Sequence, residues 1–416
     1  MLYMCKKQVE AGLQDYYHGG NEVMKRYISG MLVSVLCFSL FSIKTDAAEK
    51  KDDTRFAKSS ISAVLIERDT GQVLFEKNDH KKLPPASMTK IMTMTLIMEA
   101  LDQGKIKWDD KVAVSEHAAS MGGSQIFLEP GEKMTVRDLL KGIAIGSAND
   151  ASVAMAEHIA GSESAFVDMM NRKAKELGLK ETFFKNPTGL PAAGHYSSAY
   201  DMALMGKELL KHEEITQFTS QYEDYLRENS DKKFWLVNTN RLVKFYPGVD
   251  GLKTGFTNEA KYCLTATAKK NGMRVIAVVM GAPTPKERNK EITEMFDYAF
   301  GHYATKKLFD RHQIVKEIKI SKGNKHKLPV VTSETISLLL KKGEETSKVR
   351  KEIKTDKNLS LPIKKGDEVG TLKIYKNGKI VTKSPLLASD NIQSASWWKL
   401  FKRTLGDFVK VKGDGT

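Results

Sequence analysis

A serine and a lysine three residues apart open a strongly apolar segment of the chain. Ser87 and Lys90 follow the Pro84-Pro85 pair, and the apolar segment continues to Leu101. Residues three apart on a helix share a face, so the amine can reach the hydroxyl. A serine hydroxyl is a weak nucleophile at pH 7 and needs a base, which lysine provides only if burial or a second cation lowers the pKa of its amine. Because Ser-x-x-Lys often occurs by chance, the pair alone indicates no more than the start of a helix.

Two further segments hold polar residues suited to the same chemistry. Ser147 and Asn149 offer a hydroxyl and an amide where a helical region begins. Lys253 and Thr254 stand at the start of a block of strands, where a cation and a hydroxyl can together hold a carboxylate. We expect Gly255 to leave room for a substrate backbone, because a side chain there would block its approach.

The three motifs, in this order, match the signature of penicillin-recognising serine enzymes. From about residue 55 to the end, the chain resembles the low-molecular-mass penicillin-binding proteins that are D-alanyl-D-alanine carboxypeptidases. Residues 116–124 and 225–240 are most similar to the sporulation-type members of spore-forming bacteria. The middle motif is Ser-Ala-Asn, whereas class A β-lactamases have Ser-Asp-Asn. The resemblance rests on PASMTKIMT at 85–93, GHYSSAYDM at 194–202 and GVDGLKTG at 248–255.

The resemblance implies a role for each matching residue. The substrate would be the stem peptide of peptidoglycan, β-lactam antibiotics would act as inhibitors, and neither a cofactor nor a metal would be needed. The nucleophile would be Ser87 and its proton acceptor Lys90, and Ser147 would pass a proton to the leaving D-alanine. The substrate would be bound by Asn149, Lys253, Thr254 and Gly255, and the oxyanion hole would consist of the backbone N–H groups of Ser87 and Phe256.

The order of apolar patterns predicts an α/β fold. A hairpin begins at Ile61, strands follow at 253–257, 262–269 and 273–281, and the intervening chain is mostly helical. An antiparallel sheet formed by both ends of this segment would be flanked by helices. The resemblance implies a β-lactamase/transpeptidase-like domain. Helices are predicted over Ser87–Leu101, 135–160, 164–178, 197–211 and 286–303.

Composition and charge divide the chain further. Its 416 residues allow two or three domains, and a hydrophobic share of 41% excludes a disordered chain. Of the net charge of +15, +14 lies in residues 306–416, which hold 26 Lys and Arg against 12 Asp and Glu. Short Lys-rich runs with Gly turns predict a small all-β domain there. We therefore predict a signal segment at 1–48, a carboxypeptidase domain at 55–305, a small β-sandwich domain at 306–392 and an amphipathic helix and tail at 393–416.

The N-terminus has the pattern of an export signal. Lys25 and Arg26 precede an apolar run at 27–43, and the small residues Ala47 and Ala48 follow it. A membrane-spanning helix is the alternative, but serines interrupt the run. Residues 1–23 are unusually polar for a signal, so translation could start at Met24. We expect an exported protein on the outer face of the cytoplasmic membrane or in the cell wall space.

The C-terminal segment 394–411 has an amphipathic pattern. Trp397, Phe401, Leu405 and Phe408 recur at helical spacing, with basic residues elsewhere on the helix. The segment could dock on its own domain, but the two adjacent tryptophans with basic neighbours favour a membrane surface.

Other functions have weaker support. A β-lactamase needs a deacylating Glu-x-x-x-Asn, and Glu181 and Asn186 have the wrong spacing. A non-catalytic wall-binding protein would be expected to have lost a catalytic residue, whereas endopeptidase action on cross-links shares the bond chemistry and stays open. A zinc peptidase is disfavoured because His117, His158 and His195 are dispersed. Nucleic-acid binding lacks motif support.

Overall fold

The computed structural model describes residues 56–344, 349–356 and 359–402. Its strands are β1 (Ser62–Glu67), β2 (Val73–Lys77), β3 (Lys111–Ala113), β4 (Lys133–Thr135), β5 (Glu223–Leu226), β6 (Phe234–Val237), β7 (Val249–Thr257), β8 (Lys261–Lys270), β9 (Met273–Ala282), β10 (Tyr303–Phe309), β11 (Ile314–Lys319), β12 (Lys327–Thr332), β13 (Ile336–Lys341), β14 (Val349–Thr355), β15 (Glu368–Lys376) and β16 (Lys379–Ala388). Its α-helices are α1 (Lys90–Asp102), α2 (Glu116–Ala119), α3 (Val136–Gly146), α4 (Asn149–Ala160), α5 (Glu163–Glu176), α6 (Ala199–Leu209), α7 (Thr216–Thr219), α8 (Leu242–Phe245) and α9 (Pro285–His302).

A five-stranded antiparallel sheet joins both ends of the first domain, as the sequence predicts. The strand order is β2-β1-β9-β8-β7. Strand β9 is buried along its whole length because it lies at the centre of the sheet, between β1 and β8. Among the described strands, β7 pairs only with β8, so it is an edge strand with an open side that can pair with an extended peptide.

Both faces of the sheet are covered by helices. In β1, Val64 and Ile66 belong to a core that they share with helices α1, α3, α4 and α6, whereas Ala63 and Leu65 belong to a second core shared with helix α9. This division follows from the alternation of side chains along a strand. Layers of helix, sheet and helix therefore support strand β7 from both sides.

Two predicted helices differ from the structure. The segment predicted as a helix from Ser87 begins as a 3-10 turn at Ala86–Thr89, and α-helical geometry starts only at Lys90. The helix predicted over 135–160 is two helices, because Ser147 adopts a left-handed conformation with φ 62° that ends α3. A left-handed residue cannot continue a right-handed helix.

The C-terminal strands form two further sheets. One has the order β11-β12-β16-β15-β14, and the other pairs β10 with β13. Their own apolar core contains Leu328, Leu372 and Leu386. The first of these strands, β10, begins directly after helix α9. A hydrogen bond of 2.5 Å from Ser337 Oγ to Asp69 Oδ2 links the C-terminal strands to the β1–β2 hairpin.

Both predicted membrane segments reach beyond the described residues. The predicted signal at 1–48 lies wholly outside them, as does the part of the predicted surface helix after residue 402. Residues 397–402 are helical. Within the described part of the chain, none of the helices combines the length and hydropathy needed to span a membrane.

Candidate active site

Ser87 lies on the 3-10 turn that leads into helix α1. The residue before it, Ala86, has a left-handed φ of 47°. The turn is closely packed, because a Cβ added at Gly189 would lie 1.9 Å from the Ala86 carbonyl oxygen. In a 3-10 turn, residues i and i+3 eclipse each other, which brings the Lys90 side chain over the serine. The predicted Ser87–Lys90 contact is therefore present, with Ser87 on the 3-10 turn and Lys90 at the first residue of helix α1.

Lys90 is wholly buried, and its Nζ contacts three oxygen atoms. Its Nζ lies 2.6 Å from Asn149 Oδ1, 2.7 Å from the Thr188 carbonyl oxygen and 3.2 Å from Ser87 Oγ. The two shorter contacts use two N–H groups. In a neutral amine the remaining position is a lone pair. That lone pair would face the Ser87 hydroxyl, which is the geometry needed for accepting its proton.

The electrostatic surroundings favour the neutral form of Lys90. Burial lowers the pKa of its amine well below its ordinary value, and the nearby charge of Lys253 lowers this pKa further. Asp150 opposes the shift by favouring the charged form. A buried lysine beside a second cation can thus be a base at neutral pH.

The start of helix α4 holds Asn149 in position. Its Oδ1 accepts from Lys90, while its Nδ2 donates to the Gly122 carbonyl oxygen at 2.7 Å. These two contacts fix the orientation of the amide. Next to it, the Asp150 carboxylate accepts backbone N–H groups of Ile126 and Leu128, at 3.1 and 3.0 Å for Oδ2. The loop that contains Ile126 and Leu128 is therefore hydrogen-bonded to the start of helix α4, which also positions Asn149.

Ser147 lies between helices α3 and α4. Its left-handed conformation places it among the lining residues of the same cleft as Ser87. Non-glycine residues rarely adopt this conformation, and those that do are frequent at functional sites. The structure thus brings the first two motifs together at one cleft.

The third motif lies along the edge strand β7. Lys253 is buried, and its Nζ donates to the Thr254 carbonyl oxygen at 3.1 Å. Burial and the nearby charge of Arg288 lower the pKa of Lys253 to about 7. Thr254 lines the cleft, and its hydroxyl lies 2.5 Å from the hydroxyl of Thr239.

Gly255 has a packing role besides the predicted one of leaving room for a substrate. A Cβ at this position would lie 2.8 Å from the Pro85 carbonyl oxygen and 3.2 Å from Ala86 Cβ. The glycine therefore lets strand β7 pack against the turn that carries Ser87. The next residue, Phe256, is half-exposed and packs on Tyr262 with ring centroids 4.5 Å apart.

A cleft of about 880 Å³ is lined by Ser87, Ser147, Thr254, Gly255 and Phe256, whereas Lys90, Asn149 and Lys253 are buried and are not among its lining residues. Its charged lining residues are Arg241, Lys286 and Arg288, which are all cationic. Arg288 is buried, and its guanidinium donates to an amide oxygen, Asn289 Oδ1, rather than to a carboxylate. An anionic substrate group would be attracted to this end of the cleft.

Comparison with known proteins places this chain in a family. A family model described as D-alanyl-D-alanine carboxypeptidase matches residues 47–284, and one described as the C-terminal domain of penicillin-binding protein 5 matches 303–394. The chain is 62% identical over 392 residues to D-alanyl-D-alanine carboxypeptidase DacF of Bacillus subtilis, covering 94% of this chain and 100% of that protein. The chain belongs to the D-alanyl-D-alanine carboxypeptidase family. The likeness to DacF fits the predicted sporulation-type resemblance.

Solved structures agree with this assignment. Penicillin-binding protein 5 of Haemophilus influenzae is 32% identical with a TM-score of 0.63, covering 81% of this chain and 98% of that chain. Penicillin-binding protein D2 of Listeria monocytogenes, in its ampicillin-bound form, is 34% identical with a TM-score of 0.50, covering 58% of this chain and 97% of that chain. The predicted fold class, a β-lactamase/transpeptidase-like domain followed by a small all-β domain, is confirmed.

Several residues of the carboxypeptidase site were not predicted from the sequence. Thr188 contributes a backbone carbonyl, which leaves no residue-type signal. Gly189 is the last residue of a turn in which Asn186 Oδ1 accepts the Gly189 N–H at 2.7 Å. The Asn-Pro-Thr-Gly sequence at 186–189 is typical of such a turn. Thr239 and Arg288 are distant from the motifs along the chain, so only the fold brings them to the cleft.

Residues considered for other functions lie elsewhere in this carboxypeptidase. His195 contacts Thr89 Oγ1 at 2.9 Å, and burial lowers the pKa of its imidazole to about 4. Glu181, the candidate deacylating carboxylate of a β-lactamase, lies 3.3 Å from His80 and does not line the cleft that contains Ser87. His117 contacts Glu163 at 2.7 Å.

We predict that Gly255→Ala slows acylation by benzylpenicillin about 10- to 100-fold. The new Cβ would meet the Pro85 carbonyl and shift the turn that carries Ser87, and small displacements in a catalytic site have effects of this size. Stopped-flow acylation rates would measure the loss. Gly301→Ala is the control, because no atom of the described residues lies within 4 Å of its added Cβ. Equal rates for Gly255→Ala and the native protein would contradict the steric role.

Proposed function

We propose that the protein is a serine D-alanyl-D-alanine carboxypeptidase that removes the terminal D-alanine from the pentapeptide stem of peptidoglycan. The observation that carries this proposal is the contact between the buried amine of Lys90 and Ser87 Oγ at 3.2 Å, at a cleft with cationic lining. This geometry fits an acyl-enzyme reaction, in which a base-activated serine attacks a peptide carbonyl.

The first half of the reaction forms an ester. Lys90 accepts the hydroxyl proton of Ser87 while Ser87 Oγ attacks the carbonyl carbon between the two D-alanines. The backbone N–H groups of Ser87 and Phe256 stabilise the negative oxygen of the tetrahedral intermediate. Ser147 passes the proton to the leaving nitrogen as the C–N bond breaks, which releases D-alanine. In the second half, water attacks the ester and restores the Ser87 hydroxyl, releasing the shortened stem.

The proposed substrate binding combines residues that line the cleft with Lys253 and Asn149, which are buried next to the lining residues Thr254 and Ser147. The terminal carboxylate binds Lys253 and Thr254, and Arg288 adds positive charge at the same end. Asn149 orients Lys90 and the substrate amide. Edge strand β7 lies along the cleft through Thr254 and Gly255, and its open edge can pair with the extended stem. β-Lactams present a comparable carbonyl and carboxylate, and we propose that they acylate Ser87.

Release of D-alanine tests this function. Protein beginning at Glu49 would be incubated with diacetyl-lysyl-D-alanyl-D-alanine, and separately with benzylpenicillin followed by mass spectrometry. We expect free D-alanine and a stable adduct on Ser87. Rapid penicillin turnover without D-alanine release would identify a β-lactamase instead, and the absence of both reactions would favour a non-catalytic wall-binding protein.

The two lysines predict a bell-shaped dependence of acylation on pH. Lys90 must be neutral to act as a base, so the rate rises as its amine loses a proton. Lys253 must be charged to bind a carboxylate, so the rate falls as pH rises through its pKa of about 7. Because the charge of Arg288 lowers that pKa, Arg288→Met should move the falling limb to higher pH.

Acylation of the native protein and Arg288→Met by benzylpenicillin, followed from pH 5 to about pH 10, would measure this shift. Lys286→Met is the control, since it removes an exposed cation of the same cleft that is not a cause of the Lys253 shift. A falling limb that stays in place in Arg288→Met, or moves to lower pH, would rule out the proposed coupling.

We also propose that the protein is exported by its N-terminal segment and lies on the outer face of the cytoplasmic membrane or in the cell wall space. The proposed organisation is a signal at 1–48, a carboxypeptidase domain at 55–305, a small β-sandwich domain at 306–392 and a membrane-surface segment at 393–416. In the described part of that last segment, Trp397, Trp398 and Phe401 stack on one another and are exposed. Exposed aromatic residues beside Lys399 and Lys402 are suited to a membrane interface.

Deleting residues 397–416 should release active protein from membranes. This deletion keeps Ser394 and Ala395, which bond to the β domain through Gly323 and Lys322. The fraction of penicillin-labelled protein that sediments with membranes would measure the effect. An unchanged membrane fraction would instead point to the N-terminal segment as the anchor.

A further inference from the structure

Two exposed cations line one end of the candidate active-site cleft. They are Arg241 and Lys286. Among the described residues, neither side chain forms an ion pair or a hydrogen bond. Glu287, the residue after Lys286, does not line the cleft, and its carboxylate accepts from the Thr284 hydroxyl at 3.4 Å. Exposed cations are usually solvated surface groups, so their position relative to the substrate decides whether they can bind it.

Both cations lie at the end of the cleft where the terminal carboxylate of the substrate would bind. Arg241 follows Thr239 by two residues, and the Thr239 hydroxyl lies 2.5 Å from the Thr254 hydroxyl. Lys286 precedes Arg288, which adds positive charge at the same end, by two residues. Two residues of chain span at most about 7 Å. Arg241 and Lys286 therefore stand on two walls of the cleft, next to the carboxylate site.

The proposed reaction places the leaving group at this end. The carbonyl under attack lies at Ser87 and at the backbone N–H of Phe256, and the terminal carboxylate lies at Thr254. The stem that stays bound as the ester therefore runs past Phe256, away from Thr254. Arg241 and Lys286 are consequently next to the leaving group and not next to the ester-bound stem.

A single D-alanine has no second group for these cations to bind. Its one carboxylate is held by Lys253 and Thr254 in the proposed complex, and its side chain is a methyl group. The leaving group is larger when the bond belongs to a cross-link between two stems. Where the cross-linking residue is a diamino diacid, its amine has a carboxylate beside it, as D-alanine has. The rest of the second stem then takes the place of the methyl group and ends in a further carboxylate.

We propose that Arg241 and Lys286 bind this further carboxylate, and that the enzyme also cleaves D-alanyl cross-links between stem peptides. The inference rests on the proposed function, because it uses the same ester on Ser87. Charge complementarity supports it, since the charged residues that line the cleft are all cationic and the leaving stem is acidic. A guanidinium or an ammonium group forms charge-assisted hydrogen bonds with a carboxylate.

The cleavage of a cross-link follows the same two steps as the release of D-alanine. Ser87 Oγ bonds to the D-alanyl carbonyl carbon, the C–N bond of the cross-link breaks, and Ser147 passes a proton to the amine of the second stem. Water then attacks the ester and restores the Ser87 hydroxyl. One cross-linked dimer and one water thus give two monomeric stems, one with a new carboxylate and one with a new amine.

A cross-linked dimer of two tetrapeptide stems tests the activity directly. We expect the native full chain to convert it into two monomers, which mass spectrometry would quantify. Combining Arg241→Gln with Lys286→Gln should lower kcat/KM for the dimer about tenfold, the combined size expected of two exposed charge pairs. Release of D-alanine from diacetyl-lysyl-D-alanyl-D-alanine should fall by no more than about twofold, because only long-range attraction of its carboxylate is lost.

A matched variant and a matched substrate control this experiment. Lys290→Gln removes another exposed cation of helix α9 that does not line the cleft, and it should cleave the dimer like the native protein. A dimer with its free C-terminal carboxylate converted to an amide should be cleaved at equal rates by the native protein and the double variant, because the two changes remove one interaction. Equal losses with the dimer and its amide would overturn the binding site.

The two activities can be distinguished by their products. Release of D-alanine without cleavage of the dimer would overturn this inference and leave the proposed function in place. Cleavage of the dimer without release of D-alanine would overturn only the carboxypeptidase function. Loss of both reactions, with no labelling of Ser87 by benzylpenicillin, would overturn both.

Discussion

Replacing Ser87 with alanine should abolish both D-alanine release and covalent labelling by benzylpenicillin. Without Oγ no ester can form, and loss of a catalytic nucleophile typically lowers kcat by about 10⁴-fold or more. The fold should persist, since among the described residues the side chain of Ser87 makes a single hydrogen-bond contact, with Lys90 Nζ, and the turn is held by backbone packing against Gly189. Mass spectrometry after incubation with benzylpenicillin would detect any remaining adduct.

Ser120→Ala provides the control for this experiment. Ser120 is also a serine of the first domain, but its hydroxyl donates to the His117 carbonyl oxygen and does not line the cleft. It should be acylated like the native protein. Labelling of Ser87→Ala at the native rate would assign the nucleophile to another residue, for which Ser147 would be the first candidate because it lines the same cleft.

The sequence predicted the positions of the motifs better than their contacts. Ser87, Ser147 and Thr254 do line one cleft, although 167 residues separate the first from the last. The motifs could be recognised from the sequence because each combines residue types, such as serine with lysine, that together suit one kind of reaction. The acceptor provided by the Thr188 carbonyl could not be predicted, since any residue type offers a backbone carbonyl.

The strands of the central sheet were predictable for a physical reason. The runs at β8 and β9 are rich in apolar residues and are separated by Asn271-Gly272, a pattern typical of a hairpin turn. The break between α3 and α4 was harder to predict. Gly146 lowers helix propensity just before Ser147, but a single glycine also occurs inside helices, so the residue pattern alone does not locate the end of α3.

The β5–β6 hairpin was not predicted as a hairpin. Its strands have only four residues each, and seven residues separate them. Trp235 and Tyr225 alternate with buried leucines, but a period of two over four residues is too short to distinguish from chance. Tertiary contacts such as Arg227 with Glu132 stabilise the hairpin, and these join residues 95 positions apart.

Replacing Lys90 should separate its role as a base from its role as a charge. Lys90→Met removes both, and we expect acylation to slow by about 10²- to 10⁴-fold, the usual contribution of a positioned base. Lys90→Arg keeps a positive charge, but a guanidinium does not lose its proton in proteins and cannot accept one from Ser87. If Lys90 is the base, both variants should therefore be impaired to a similar degree.

The rate of acylation by benzylpenicillin would be measured for Lys90→Met, Lys90→Arg and the native protein, with circular dichroism to verify the fold. Lys173→Met is the control for losing a partly buried lysine, because Lys173 pairs with Glu208 at 3.1 Å and does not line the cleft. Acylation by Lys90→Arg within tenfold of the native rate would show that charge suffices and that another group accepts the proton. Slow acylation in both variants would support Lys90 as the base. If the rising limb is also missing from the dependence of their remaining acylation rate on pH, the buried Lys90 amine is the group that activates Ser87.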